Sequence, residues 1–175
     1  MLTISTKAYK NIKRVLLYAR IALSVVIVAA VAYMFFFFET FSIPTDFQCM
    51  KPFIAGGDRV YVRKNPSAGS IERFNIVIYS PPDRTELKII GRVIGLPGES
   101  ISSLNGAVYI NGVRLEETFY LAGTTSNIPE DFPDFKIPQN GFYVLVDDRK
   151  YVQIDSREFG AIPAGNLLGK LIVKF

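Results

Sequence analysis

Hydrophobic residues are distributed unevenly along the chain, and the densest run lies near the N-terminus. Residues 21–38 (IALSVVIVAAVAYMFFFF) contain no charge over 18 positions, and a shorter apolar stretch at 15–19 precedes them. An α-helix rises about 1.5 Å per residue, so the run would cover roughly 27 Å, close to the ~30 Å hydrocarbon core of a bilayer. The pattern therefore predicts a helix that can span a membrane.

From residue 39 onward the pattern changes to short segments rich in β-branched and aromatic residues. Turn sequences such as NPSAGS, SPP, LPGE and IPQNG separate these segments, as expected between strands. Asn-Gly occurs twice between residues 104 and 115, and each pair is a strong hairpin signal. We therefore predict a mainly β domain, with helix only in the N-terminal segment, a long irregular acidic loop at 124–138, and strands at 58–64, 74–80, 86–95, 107–115, 141–148 and 169–175.

Charge around the apolar run predicts how the chain is oriented. The first 20 residues contain five basic side chains and no acidic one, so by the positive-inside rule the N-terminus stays in the cytoplasm. We expect a basic cytoplasmic tail at 1–14, a transmembrane anchor at 15–38 and an extracytoplasmic domain at 39–175. A cleaved secretory signal peptide is the alternative, favoured by Ala30-Val31-Ala32, although the apolar run is longer than such a peptide needs.

The amino-acid composition argues against several classes of function. The net charge of +4 comes from the first 20 residues: without their five basic side chains, 15 Lys+Arg face 16 Asp+Glu, and nucleic acid is not an expected ligand. The chain has no histidine and one cysteine, Cys49, which excludes a Ser/His/Asp or Cys/His catalytic set, a usual zinc site and an internal disulfide. We expect no metal and no cofactor, and peptidase chemistry would need another base.

Five motifs then follow one another: CMKP at 49–52, GDRV at 57–60, GRVIGLPGE at 91–99, DSREFG at 155–160 and IPAGNLLGK at 162–170. In this order, behind an apolar N-terminal segment, they resemble the type I signal peptidase family. The resemblance implies a signal-peptidase-like β fold and a membrane-anchored serine peptidase with a lysine general base. It also implies that the nucleophile position is occupied here by Cys49 and the general-base position by Gly91.

Gly91 is the main departure from that family. A glycine weakens a strand and supplies no base to activate a hydroxyl or thiol. Leu87, Ile89 and Val93 share its parity, so the vacant position faces an apolar surface, where burial would lower the pKa of a lysine. The nearest lysine in sequence, Lys88, is three residues away and is expected on the opposite face of the strand.

The resemblance also assigns supporting residues. Arg92, Asp155 and Arg157 match a charged scaffold beside the family's site. The segment at 146–149 and Gln153 depart from the family pattern. An apolar peptide-binding cleft is expected from five residues, for which core packing is the alternative interpretation: Phe47, Met50, Ile54, Ile78 and Ile90.

Three functions are compatible with these features. The first is a non-catalytic protein that binds an exported protein, such as a pilin or another pilus component, at a membrane surface where it also meets lipid. This resembles the catalytically degenerate family members encoded with Gram-positive pili. The second is an active peptidase that uses Cys49 as nucleophile, since a thiol is intrinsically reactive. The third is a structural membrane protein whose Cys49 has no chemical role and whose cleft is a relic.

The basic residues ahead of the apolar run lead to a prediction of topology. Protease added to intact protoplasts should digest the part of the chain after Phe38 and spare an epitope placed at the N-terminus. Immunoblotting of both ends measures this. Protection of the C-terminal domain with loss of the N-terminal epitope would reverse the orientation.

Overall fold

The computed structural model describes residues 6–117, 131–149 and 154–175. The chain divides into two compact units, Met1–Phe38 and Glu39–Phe175. Part of the long acidic loop predicted at 124–138 lies outside the described residues, and Gln153 lies outside them as well.

The first unit is a single helix, α1 (Thr6–Phe37). Its segment Tyr9–Phe37 has a mean hydropathy of 2.4, and it is the one helix in the described part of the chain long and apolar enough to cross a membrane. Within the helix, the rings of Tyr33 and Phe37 lie one turn apart with centroids separated by 4.7 Å. The predicted apolar N-terminal helix is therefore present, while its orientation stays a prediction.

The second unit is built around a seven-stranded sheet whose order is β1-β2-β11-β3-β4-β9-β10. The pairs whose register is known, from β2–β11 through β9–β10, are antiparallel. The strands are β1 (Phe38–Ser42), β2 (Arg59–Lys64), β3 (Ile76–Tyr79), β4 (Ile89–Gly95), β9 (Gly141–Leu145), β10 (Ile162–Pro163) and β11 (Leu167–Lys174).

A second, four-stranded sheet has the order β7-β6-β5-β8. The two Asn-Gly pairs make its turns: Asn105, Gly106, Asn111 and Gly112 all have positive φ, as the favoured two-residue hairpin turns require. Both hairpin predictions are thereby confirmed. The strands are β5 (Ser100–Leu104), β6 (Ala107–Ile110), β7 (Val113–Arg114) and β8 (Phe135–Lys136).

The larger sheet is buried on both faces at its centre, where every residue of β3 and β4 is buried. One face packs a cluster that includes Ile78 and Ile90, and the opposite face packs one that includes Tyr79 and Val144. A third cluster joins β4 and β9 to the smaller sheet. Alternate residues of a strand point to opposite faces, so neighbouring residues of β4 face different cores.

Two features differ from the sequence prediction. The structure contains a second helix, α2 (Ser156–Phe159), so the expectation of helix only at the N-terminus is wrong. Asp155 caps this single turn by accepting the backbone N–H of Arg157, which is a local signal that strand periodicity does not detect. Four strands were also missed: β1, β5, β8 and β10.

Candidate active site

The position expected to hold the general base is filled by neighbouring groups. A Cβ atom added to Gly91 would lie 2.6 Å from Val144 Cγ1, 3.2 Å from the Leu145 carbonyl oxygen and 3.4 Å from Tyr79 Cε1. Two of these groups belong to β9, the strand that pairs with β4, and Tyr79 belongs to β3 on the other side. Val144 and Tyr79 are both fully buried. Gly91 therefore marks a close approach of three strands, with no room for a longer side chain unless its neighbours move.

Tyr79 is the hydroxyl-bearing residue next to this position. Its hydroxyl donates a hydrogen bond of 2.9 Å to the backbone oxygen of Ile154. Burial, together with the negative charge of Asp155, raises the pKa of Tyr79 far above its ordinary value. The phenol consequently keeps its proton at physiological pH and cannot replace the missing base.

Cys49 lies in the loop between β1 and β2, against the end of β9. Its backbone oxygen accepts a hydrogen bond of 2.8 Å from the N–H of Asp148, and the Met50 Sδ accepts one of 3.3 Å from the N–H of Asp147. The Cys49 side chain is partly exposed, whereas Met50 is fully buried. Gly91 and Cys49 are thus both held against the last residues of β9 and the loop that follows it.

The exposure or the hydrogen-bond partner of five lysines of the β domain is known from the described residues. Lys51 and Lys88 are exposed to solvent, and Lys88 precedes the first residue of β4. Lys136, Lys170 and Lys174 donate to the backbone oxygens of Gly98, Ser70 and Phe53. A lysine acts as a base near neutral pH when burial disfavours its charged form, and the two exposed lysines lack that burial.

Arg92 pairs with an acidic residue that the sequence analysis did not assign. Its Nε and Nη2 atoms donate to the two carboxylate oxygens of Asp147 at 2.8 and 2.6 Å, and both side chains are buried. Its guanidinium carbon also lies 5.3 Å from the centroid of the Phe53 ring. This bidentate pair connects β4 to the loop after β9 and holds that loop beside Met50.

Asp155 and Arg157 form a second bidentate pair, with distances of 2.9 and 2.7 Å. Asp155 is completely buried, and its carboxylate also accepts the backbone N–H groups of Val146 and Arg157. Arg157 in turn donates to the backbone oxygen of Arg149 at 2.6 Å. The three predicted scaffold residues, Arg92, Asp155 and Arg157, therefore belong to two ion pairs near the end of β9. Asp147 is the fourth residue of these pairs.

Four of the five expected peptide-binding residues are core residues in this structure. Met50 and Ile54 are fully buried, and Ile78 and Ile90, which are direct partners across β3 and β4, are 4% and 2% exposed. The expectation that these four line an open cleft is corrected, because they face the cluster beneath the Cys49 loop. Phe47 packs against the same cluster but remains partly exposed.

The arrangement defines a class of protein. In the β domain that follows the apolar helix, the loop that carries the Cys49 thiol and the strand that contains Gly91 both contact the end of β9 or the loop after it. This arrangement is that of a signal-peptidase-like protein. The comparison with family models agrees: the chain belongs to the signal peptidase family, peptidase S26, whose model matches residues 15–175.

Individual relatives are similar over most of the chain. A signal peptidase IB from Staphylococcus aureus (strain COL) is 28% identical over 142 residues, which cover 73% of each protein. A probable signal peptidase I-2 from Synechocystis is 32% identical over 132 residues, covering 72% of this chain and 58% of the relative. The crystal structure of a signal peptidase I from Enterococcus faecalis V583 matches 59% of this chain and 97% of its own, with 27% identity and a TM-score of 0.52. The resemblance to the type I signal peptidase family and the fold class are thus confirmed.

Sequence reasoning did not find Val144, Tyr79 or Asp147. Val144 and Tyr79 are unremarkable in a strand pattern, and only the pairing of β4 with β3 and β9 brings them next to Gly91. Asp147 offered a weak signal, since an acid directly after a buried strand needs a partner. Arg92 lies on the neighbouring strand.

The buried Asp155–Arg157 pair predicts a large loss of stability on substitution. Asp155→Ala leaves the guanidinium of Arg157 buried without its carboxylate, which should cost on the order of 3–5 kcal/mol of unfolding free energy. Urea unfolding followed by circular dichroism measures this. The matched control is Asp58→Ala, which breaks the more exposed Asp58–Lys174 pair and the hydrogen bond from the backbone N–H of Ala55, and should cost less. Equal losses in the two variants would contradict the structural role of Asp155.

The close approach at Gly91 predicts that even a methyl group is poorly tolerated there. Gly91→Ala should destabilise the domain by about 1–3 kcal/mol through overpacking, because Val144 is stiff at its β-branch. Gly91→Ala combined with Val144→Ala should cost less than the two separate losses added together. Gly165→Ala is the matched control, since nothing lies within 4 Å of its added Cβ. An unchanged melting temperature for Gly91→Ala would show that the strands leave room there.

Proposed function

We propose that this chain is a non-catalytic, signal-peptidase-like protein that binds an extended segment of an exported protein at the outer face of the membrane and assists its assembly. The observation that carries the proposal is the packing at position 91. A peptidase of this family needs a base beside its nucleophile, and here the base position is a glycine whose Cβ direction is occupied by Val144. Buried neighbouring groups therefore fill the position where the base would lie.

Peptide binding does not need that base. β4 begins at Ile89, but its pairing with β9 ends at Arg92, so residues Ile89–Gly91 have β3 on one side and no paired strand on the other among the described residues. A strand segment with an unpaired side can accept an extended peptide through main-chain hydrogen bonds. Ile89–Gly91 are buried, so binding there requires that the groups covering them move aside. Phe47 and Cys49, both partly exposed in the neighbouring loop, are the side chains best placed to contact such a peptide.

The class of partner comes from the family resemblance. Members that lack the catalytic pair and are encoded with Gram-positive pili assist pilin assembly, so a pilin or another pilus component is the partner we propose. The membrane supplies the second contact, through α1.

An active peptidase with an altered mechanism is the second candidate. It is favoured by the relatives, which are named as signal peptidases, and by the partial exposure of the Cys49 thiol. The two proposals differ in one respect that can be measured directly. Only the second requires a cleaved product whose formation depends on Cys49.

The test uses the full chain in detergent micelles with an exported precursor protein, for example a pilin. We expect a stable complex by size-exclusion chromatography, no cleavage product by mass spectrometry, and the same result for Cys49→Ala. Phe47→Asp should weaken the complex by about tenfold or more, because it places a carboxylate in a mainly apolar contact. Leu104→Asp, at an exposed position of the smaller sheet, is the matched control, and melting temperatures check that both variants fold. Cleavage by the unmodified chain that Cys49→Ala abolishes would establish the second candidate instead.

A further inference from the structure

A third buried ion pair joins the smaller sheet to the loop that follows β9. The guanidinium of Arg149 donates to a carboxylate oxygen of Glu117, and the two side chains are 4% and 10% exposed. The backbone just before Glu117 is fixed, because the N–H of Leu115 donates to the Val108 oxygen at 2.8 Å and continues the pairing of β6 with β7. Glu117 lies outside the five motifs that carry the family resemblance, and the proposed function gives it no role.

Arg149 ends a segment of three residues, Asp147–Arg149, which we call the docking segment. The middle residue, Asp148, donates its backbone N–H to the Cys49 oxygen at 2.8 Å. Adjacent Cα atoms lie about 3.8 Å apart at a fixed distance, so a shift of Arg149 moves Asp148 as well. The ion pair with Glu117 and the hydrogen bond to the Cys49 loop therefore act on the same short stretch of backbone.

The two ends of the docking segment are held by different groups. Asp147 is bound by Arg92 of β4, whereas the side chain of Arg149 is bound by Glu117 and its backbone oxygen by Arg157. A guanidinium as buried as that of Arg149 needs its carboxylate, because an unpaired buried charge is costly. Without Glu117, the long Arg149 side chain would turn toward water and pull this end of the segment away from its hydrogen-bond partners.

We propose that Glu117 is a positioning residue of the candidate site, which acts through Arg149 to hold the docking segment against the Cys49 loop. The pair thereby couples the end of the smaller sheet to the accessibility of the Cys49 thiol. Its effect on peptide binding rests on the proposed function, whereas its effect on the Cys49 loop does not.

Cys49 is the one cysteine of the chain, so its reaction with a disulfide reagent reports this loop alone. The full chain in detergent micelles is mixed with dithiobis(nitrobenzoate), and the absorbance of the released thionitrobenzoate is followed. Glu117→Gln should raise the rate by about tenfold, because local opening of the loop then needs less free energy. Glu116→Gln is the matched control: Glu116 is exposed, and this variant should react at the rate of the unmodified chain.

Three further measurements separate positioning from a general loss of stability. Reaction through local opening changes little in low urea, whereas reaction through global unfolding accelerates steeply, so we expect the faster reaction of Glu117→Gln to be insensitive to low urea. Glu117→Gln combined with Arg149→Met should react no faster than the faster single variant, since both changes remove one contact. Glu117→Asp keeps the carboxylate on a shorter side chain, should react at an intermediate rate, and serves where Glu117→Gln does not fold.

Three results would overturn the proposal. Equal rates for Glu117→Gln and the unmodified chain would mean that the docking segment stays in place without the carboxylate. An acceleration that rises steeply with urea would mean that the pair only stabilises the whole domain. Additive accelerations in the double variant would mean that Glu117 and Arg149 act separately. The complex with an exported protein is measured independently by size-exclusion chromatography, and its absence would contradict the proposed function without changing the rates at Cys49.

Discussion

The packing of β4 between β3 and β9 is the constraint on which the rest of the site depends. β4 is buried along its whole length, and at Gly91 the neighbouring strands come so close that a single methyl group would meet Val144 at 2.6 Å. Interiors are close-packed, so space left by a missing side chain is rarely kept open. Gly91, where the family resemblance places the base, is therefore part of a continuous core, and the strands on both sides are held by the packing around it.

Around this core, two buried ion pairs hold the end of β9. Arg92–Asp147 connects the loop after β9 to β4, and Asp155–Arg157 connects α2 to the backbone at Val146. Each carboxylate is bidentate with its arginine, which offsets part of the cost of burying charge and fixes the geometry of both groups. The Cys49–Met50 loop docks on this framework through hydrogen bonds from Asp147 and Asp148.

Binding and catalysis place different demands on such a site. Catalysis needs a nucleophile and a base held within hydrogen-bonding reach, whereas strand addition needs an open backbone edge and a few accessible side chains. Among the described residues, Ile89–Gly91 have no paired strand on one side, and Phe47 and Cys49 are partly exposed.

The sequence by itself determined the large features, because they depend on local patterns. The uncharged run before residue 39 required an apolar helix, the two Asn-Gly pairs required hairpin turns, and the ordered motifs indicated the family. Tertiary structure alone decided how these residues meet. Whether Gly91 is an empty site or a filled one depends on Val144 and Tyr79, which lie on two other strands. Whether Met50, Ile54, Ile78 and Ile90 line a cleft or a core depends on what packs around them, and the structure places them in one buried cluster. Arg92 pairs with Asp147, which the sequence analysis did not assign, because the partner of a buried charge is set by strand pairing, which a linear pattern of residues does not contain.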